Sequence, residues 1–220
     1  MTGHLNNIIV KDFENSFRTN CMILIGEAYK LLKDTKTITS DWNEENISAN
    51  IVTNINDNDK AYNYRIIATD ESRIYTSDIL DNKKSAKSAS RIDIRLSTWN
   101  GKIKSFYVEA KNLIENNCPK KGRKTLLNAT KIIERYITTG IDHFLLGDYP
   151  SNGCMLGYIV EGKISKIAEK INLILLKSTR EEEILKKIQS NTPHLDDVFI
   201  STHLNGYILY HYFLNFSQNN

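Results

Sequence analysis

Two segments in the middle of the chain, Arg91-Ile92-Asp93-Ile94-Arg95-Leu96 and Phe106-Tyr107-Val108-Glu109-Ala110-Lys111, alternate polar and apolar residues on either side of Trp99-Asn100-Gly101. A period of two marks strands, and a glycine-bearing turn between them marks a hairpin. Register decides what the hairpin can do, because a slip of one residue turns every side chain to the other face. A two-residue Asn100-Gly101 turn would set Asp93 opposite Val108 and put Asp93 and Glu109 on opposite faces. A three-residue loop Trp99-Asn100-Gly101, closed by Gly101 in the left-handed conformation, pairs Thr98 with Lys102 and Asp93 with Tyr107. Ile92, Ile94, Leu96, Phe106, Val108 and Ala110 then share one face. Arg91, Asp93, Arg95, Ser97, Tyr107, Glu109 and Lys111 share the other. The three-residue loop is the expected one, since it sorts apolar from polar and gathers two carboxylates and an amine at the same time.

Two neighbouring carboxylates hold a divalent cation through hard oxygen ligands, and a lysine beside them can polarise or deprotonate a water. The chain offers a rival acid-spacer-lysine triplet at Glu161-Gly162-Lys163. Gly162 marks it as the end of a strand, and no hairpin brings an aspartate to it.

An aspartate strand, a Glu109-Ala110-Lys111 strand, a helix with a glutamate before them, and a helix and strand after them resemble the PD-(D/E)XK or restriction-endonuclease-like nucleases. The resemblance covers most of the chain, with Ile92 standing where the motif has its proline. Segments 153–160, 201–203 and 210–216 are similar to those of bacterial stand-alone nucleases of restriction or phage-defence type. The resemblance implies an α/β fold, a mixed central sheet flanked by helices, in a single domain over 1–220. It implies Mg²⁺, with Mn²⁺ as substitute, held by Asp93, Glu109 and the Ala110 carbonyl, with Lys111 acting on the water. The family's first helix commonly lends an acid. Here a helix expected over 13–33 carries Glu27 at the edge of its apolar stripe, so Glu27 would complete the cluster. DNA is the implied substrate, with RNA open. Because a free nuclease would harm its host, an ATPase or sensor partner, or self-assembly, is expected to regulate it. The competing class is a non-catalytic binding or assembly subunit.

With 220 residues, 40% hydrophobic and 25% charged, one domain with a buried core is expected. A formal charge of +3 is too small to announce nucleic-acid binding, so attraction to phosphate must come from local clusters. Lys83, Lys84 and Lys87 lie in a polar loop at 81–88, and Lys120, Lys121 and Arg123 in a second at 118–124. Lys131 and Arg135 stand four apart on a helix expected over 124–138. Cys21, Cys118 and Cys154 are odd in number and widely spaced, which argues against a disulfide framework or zinc site and for reduced, part-buried thiols. There is no basic-then-apolar leader and no apolar run of the roughly 18 residues a span needs, so a cytoplasmic protein without a membrane is expected. No P-loop motif is present, so any ATP hydrolysis by that route would belong to a partner.

Elsewhere, strands are expected over 47–54 and 62–69 around Asn56-Asp57-Asn58-Asp59, a solvated turn that lacks the glycine and distal glutamate of a Ca²⁺ loop. A buried strand is expected over 155–160 and a helix over 164–177, with a strand as the alternative. Ser178-Thr179-Arg180-Glu181 reads as a capping box opening a helix to 189. A second hairpin is expected from 198–204 and 207–216 across Asn205-Gly206. His143, His194, His203 and His211 lack metal spacing; His203 and His211 flank that hairpin and read as hydrogen-bonded structural partners.

Overall fold

The computed structural model describes residues 7–98 and 103–217. Helices α1 (Asn7–Thr35), α2 (Glu44–Asn56) and α3 (Asp59–Tyr64) precede strand β1 (Ile66–Ile74), and a short α4 (Ser77–Leu80) leads to β2 (Ser90–Thr98) and β3 (Lys104–Ile114). There follow α5 (Ala129–Tyr136), a π-helical turn at Ile137–Ile141, α6 (Asp142–Leu145), β4 (Gly153–Glu161), α7 (Ile164–Lys177), β5 (Lys186–Ile188), β6 (Val198–Thr202) and β7 (Ile208–Asn215). The strands make one seven-stranded sheet in the order β1-β2-β3-β4-β7-β6-β5. β3 and β7 lie parallel to β4, and the other pairs are antiparallel. This is an α/β fold with a mixed central sheet. No helix of the described residues is long and apolar enough to cross a membrane.

Helices cover both faces of the sheet. On one, Leu24, Ile25 and Leu32 of α1 and Ile47, Ile51 and Ile55 of α2 join Phe106, Val108 and Ala110 of β3 in one apolar cluster. On the other, Ile133 and Tyr136 of α5 and Ile167, Ile171 and Leu175 of α7 join Leu113, Met155 and Phe213. The hairpin's polar face is therefore no open surface. Glu109 is 3% and Lys111 7% exposed, as befits strands in the middle of a sheet covered on both sides.

The hairpin register differs from the expected one by two residues. Thr98 pairs with Lys104 and Arg95 with Tyr107, so the connection spans 99–103 rather than three residues. A shift of two preserves every face, which is why Asp93, Glu109 and Lys111 still come together. Gly101 lies outside the described residues.

Segment 47–54 is helix, not strand. Ile47, Ile51 and Ile55 are all fully buried at a spacing of four, and Glu44 and Glu45 fill the first turn, where acids suit the positive end of the helix dipole. Segment 62–69 is split: α3 ends at Tyr64, Arg65 turns the chain at φ 54°, and β1 begins at Ile66. The helix expected from 124 starts at Ala129, because Cys118 and Leu127 form a bridge and Asn128 caps the helix by accepting the Lys131 N–H. The expected capping box at Ser178 is the end of α7, and Thr179 at φ 56° breaks the chain direction before one turn at Glu181–Glu183 and strand β5. Cys21, Cys118 and Cys154 are buried free thiols.

Candidate active site

Pairing of β2 with β3 stops at Ile94 and Val108. Beyond it, the Asp93 side chain replaces the strand's backbone as partner, Oδ2 accepting the Ala110 N–H at 2.7 Å. This opening between two central strands makes room for ionised groups. The Lys111 ammonium fills it, donating to Glu109 Oε1 and to the Ala110 carbonyl at 3.1 Å, and standing 3.8 Å from Asp93 Oδ2. The third carboxylate is Glu44, from the first turn of α2. Its Oε1 is 3.6 Å from Lys111 Nζ and its Oε2 accepts the Asn112 N–H at 3.0 Å.

Three carboxylates thus surround one buried ammonium. Burial is the leading influence on each acid: Glu109 is pushed up to about 8, helped by Asp93 and opposed by Lys111. Asp93 and Glu44 are raised as well, again against the pull of Lys111. Burial pulls Lys111 down, but Glu109, Glu44 and Asp93 outweigh it and hold the amine charged. Among the described residues Glu109 Oε2 is buried without a well-formed hydrogen bond, although Tyr149 and Asp93 lie near enough to influence the carboxyl, and such an acceptor costs free energy unless something meets it. Beside it, the Tyr149 hydroxyl donates to the Arg91 carbonyl at 3.0 Å and ties β2 to the segment before β4.

Among the described residues no group of three or more His, Cys, Asp or Glu side chains is placed to hold a metal ion by itself. Asp93 and Glu109 would need the Ala110 carbonyl and waters, the mixed set that Mg²⁺ accepts. Acids that burial makes reluctant to ionise, beside a buried Glu109 oxygen, fit such a cation, whose charge would favour their ionised forms.

Glu27 is elsewhere. Its carboxylate takes Asn58 Nδ2 at 2.8 Å and the Lys60 ammonium, joining α1 to α3, and these partners lower it despite some desolvation. The helix that faces Lys111 is α2, and sequence reasoning missed Glu44 because it read that segment as a strand. The acidic pair Glu44-Glu45 directly before the Ile47, Ile51, Ile55 spacing was the available signal.

A cleft of about 220 Å³ opens beside Lys111 and Glu44, and Lys120, Arg123 and Arg135 line it. Lys120 also holds α2 by donating to Asn43 Oδ1 at 2.7 Å. Lys121 and Lys131 do not line the cleft; the Lys121 backbone N–H is taken by Asp41. In the other basic loop Lys83 pairs with Asp81 and Lys84 with Asp78; these lysines and Lys87 are exposed and do not line the cleft.

The histidines form a buried chain of their own. Ser201 Oγ meets His203 Nε2 at 2.6 Å and His211 Nε2 at 2.8 Å; His211 Nδ1 meets the Tyr136 hydroxyl at 2.8 Å and His203 Nδ1 meets Glu183 Oε2 at 2.6 Å. Ser201, His203 and Glu183 have the connectivity of nucleophile, base and orienting acid, but Ser201 is 1% exposed. No acyl group reaches it, and the chain is structural.

No family model matches the chain, and neither a curated protein nor a solved structure matches it.

Proposed function

We propose that the protein is a Mg²⁺-dependent endonuclease with a restriction-endonuclease-like core, hydrolysing DNA in the cytoplasm as the effector of a restriction or anti-phage defence system, with a partner. One observation carries this reading: Asp93 of β2, Glu109 of β3 and Glu44 of α2 converge on the Lys111 amine. Asp93, Glu109 and the Ala110 carbonyl would hold the cation, which when bound lowers the pKa of a ligated water and offsets charge on the phosphodiester. Lys111 orients the attacking water and offsets charge developing on the phosphoryl oxygens. Glu44 steadies Lys111 from the first turn of α2. Lys120, Arg123 and Arg135 draw the backbone phosphates into the adjoining cleft.

The test is cleavage of supercoiled plasmid by the purified chain in Mg²⁺ or Mn²⁺, against EDTA and against Asp93→Asn. Metal-dependent nicking lost in Asp93→Asn is expected; intact plasmid at every metal concentration overturns the reading. A second reading has one observation in its favour, since Lys111 already neutralises part of the cluster without any metal. Such a self-contained ion network suits a non-catalytic nucleic-acid-binding or assembly subunit. That subunit would shift DNA on a gel and leave it uncut.

A further inference from the structure

A cavity of about 580 Å³ lies at the other end of β3 from the Lys120 cleft, where α1, the start of β3 and the entry to β4 meet. Its charged lining is Glu14 and Arg18 of α1, Arg95 of β2 and Lys104 of β3. Lys104 and Glu14 cancel, bonded at 2.9 Å. Arg18 and Arg95 are half-buried, and neither has a carboxylate within 4.0 Å among the described residues. Two half-buried guanidinium groups with no carboxylate partner leave a local excess of positive charge that suits an anion.

Both groups are held ready for one. Arg18 lies over the Tyr210 ring with Cζ 3.7 Å from its centroid. Arg95 donates from Nε to Ser105 Oγ at 2.9 Å and stands with Cζ 5.9 Å from the Tyr107 ring centroid, and among the described residues its terminal nitrogens have no hydrogen-bond partner. A planar fork with free N–H groups matches phosphate oxygens two at a time. Asn152 anchors the floor by donating to the Ser105 carbonyl and accepting the Tyr107 N–H. The volume falls in the range of roughly 300–1,000 Å³ typical of organic ligands, far above what a lone inorganic ion fills. The remaining wall is mixed: Asn15, Ser105, Ser151 and Asn152 offer polar groups, while Tyr107, Ile103 and Ile208 offer an aromatic ring and two aliphatic side chains, the isoleucines 75% and 46% exposed. The lining therefore suits a ligand that joins a dianionic end to a flat body carrying its own hydrogen-bonding groups.

We propose that this cavity binds a nucleotide through its phosphate monoester, with Arg18 and Arg95 gripping the phosphate and Tyr107, Ile103 and Ile208 lying against the nucleoside. The same chemistry is offered by a free mononucleotide and by the 5′-phosphorylated end of a strand. The inference is independent of the nuclease reading, since none of these residues belongs to the carboxylate cluster.

Calorimetry on the full chain in EDTA tests it without metal or cleavage. The probes are AMP, CMP, adenosine, ribose 5-phosphate and a tetranucleotide with or without a 5′-phosphate. AMP or CMP should bind, and adenosine should not. Arg18→Gln and Arg95→Gln should each weaken binding tenfold or more, with Arg95→Lys weaker in effect than Arg95→Gln. Tighter binding of the phosphorylated tetranucleotide than of AMP assigns the site to strand ends, and the reverse order assigns it to free nucleotides. Melting curves check each variant; should Arg18→Gln fail to fold, the two Arg95 variants decide. The proposal is overturned if no phosphorylated probe binds at millimolar concentration, if ribose 5-phosphate binds as tightly as AMP, or if affinity survives loss of the arginine charge.

Discussion

Glu44 grips β3 with both oxygens, accepting the Asn112 N–H at 3.0 Å through Oε2 while Oε1 stands 3.6 Å from Lys111 Nζ. A residue at the first turn of a helix thereby fixes a strand residue and its neighbour's amine. Glu44→Gln keeps the hydrogen bond to Asn112 and removes the charge. Metal affinity or cleavage should fall roughly 10–100-fold, the usual effect of losing a supporting charge beside a metal site. Glu27→Gln should leave cleavage unchanged, because Glu27 is bonded to Asn58 and Lys60 instead. Plasmid assays across a Mg²⁺ titration compare the two, and equal losses would remove Glu44 from the site.

Lys111→Ala should lower cleavage on the order of a hundred- to thousandfold while DNA affinity holds, since the amine acts on developing charge rather than on global binding. Removing it also strands Glu109, Asp93 and Glu44 without their shared counter-charge. Melting should therefore drop, and Lys111→Arg should recover stability better than rate. Single-turnover kinetics at saturating DNA read the chemistry apart from folding; a native rate in Lys111→Ala would make the amine a structural charge.

The legible part of this chain was the part with a period. Alternation placed Asp93, Glu109 and Lys111 on one face, and a two-residue error in loop length did no harm because strands repeat every two residues. The α2 segment is rich in β-branched residues, which favour a strand on composition, while the four-residue spacing of its buried Ile47, Ile51 and Ile55 is helical. Read as a strand, this segment carries no helix acid toward Lys111, and Glu27 is then the acid that a helical stripe offers. Basic clusters were visible as clusters, but sequence does not tell that Lys83 and Lys84 have their own aspartates while Lys120 and Arg123 border the acids. That difference is tertiary.

Replacing Lys120, Arg123 and Arg135 together by Gln should weaken DNA binding and flatten its salt dependence. Each phosphate that is no longer neutralised lowers the slope of log affinity against log salt by roughly 0.9 on duplex DNA, so a change of about 2–3 is expected if all three act. The matching Lys83, Lys84, Lys87 variant should change the slope little. Titrations at several salt concentrations separate them, and a larger effect from the Lys83 loop would move the interface off the cleft.

Gly157 pairs with Lys111 on one side and Phe213 on the other. A Cβ there would sit 2.6 Å from Phe213 Cδ1 and 2.7 Å from Leu113 Cδ1, inside any real carbon–carbon approach. Both neighbours are fully packed, so Gly157→Ala should destabilise by about 1–3 kcal/mol, the usual range for overpacking a core. Urea unfolding measures it, and an unchanged midpoint would mean β4 can shift away from β3.

His211 sits at the centre of the buried chain, and one proton arrangement satisfies every member with both imidazoles neutral. Glu183 accepts from His203 Nδ1, Ser201 donates to His203 Nε2, His211 Nε2 donates to Ser201, and Tyr136 donates to His211 Nδ1. Burial, and the nearby His203, push His211 down from 6.5 to about 3; burial also lowers His203, against the pull of Glu183. Between those values the unfolded chain binds a proton at His211 that the folded chain refuses. Its contribution is fully present above pH 6.5 and is lost as pH falls toward 3. The loss approaches about 1.4 kcal/mol per pH unit for one such group. His211→Gln should be less stable near pH 7, by about 1–3 kcal/mol for an imperfectly met buried donor or acceptor, yet flatter across the acid range. Urea midpoints for both proteins, taken from neutral pH down to the start of acid unfolding, give the difference directly. Parallel curves would show that the acid sensitivity lies in other groups and that His211 does not titrate in this window.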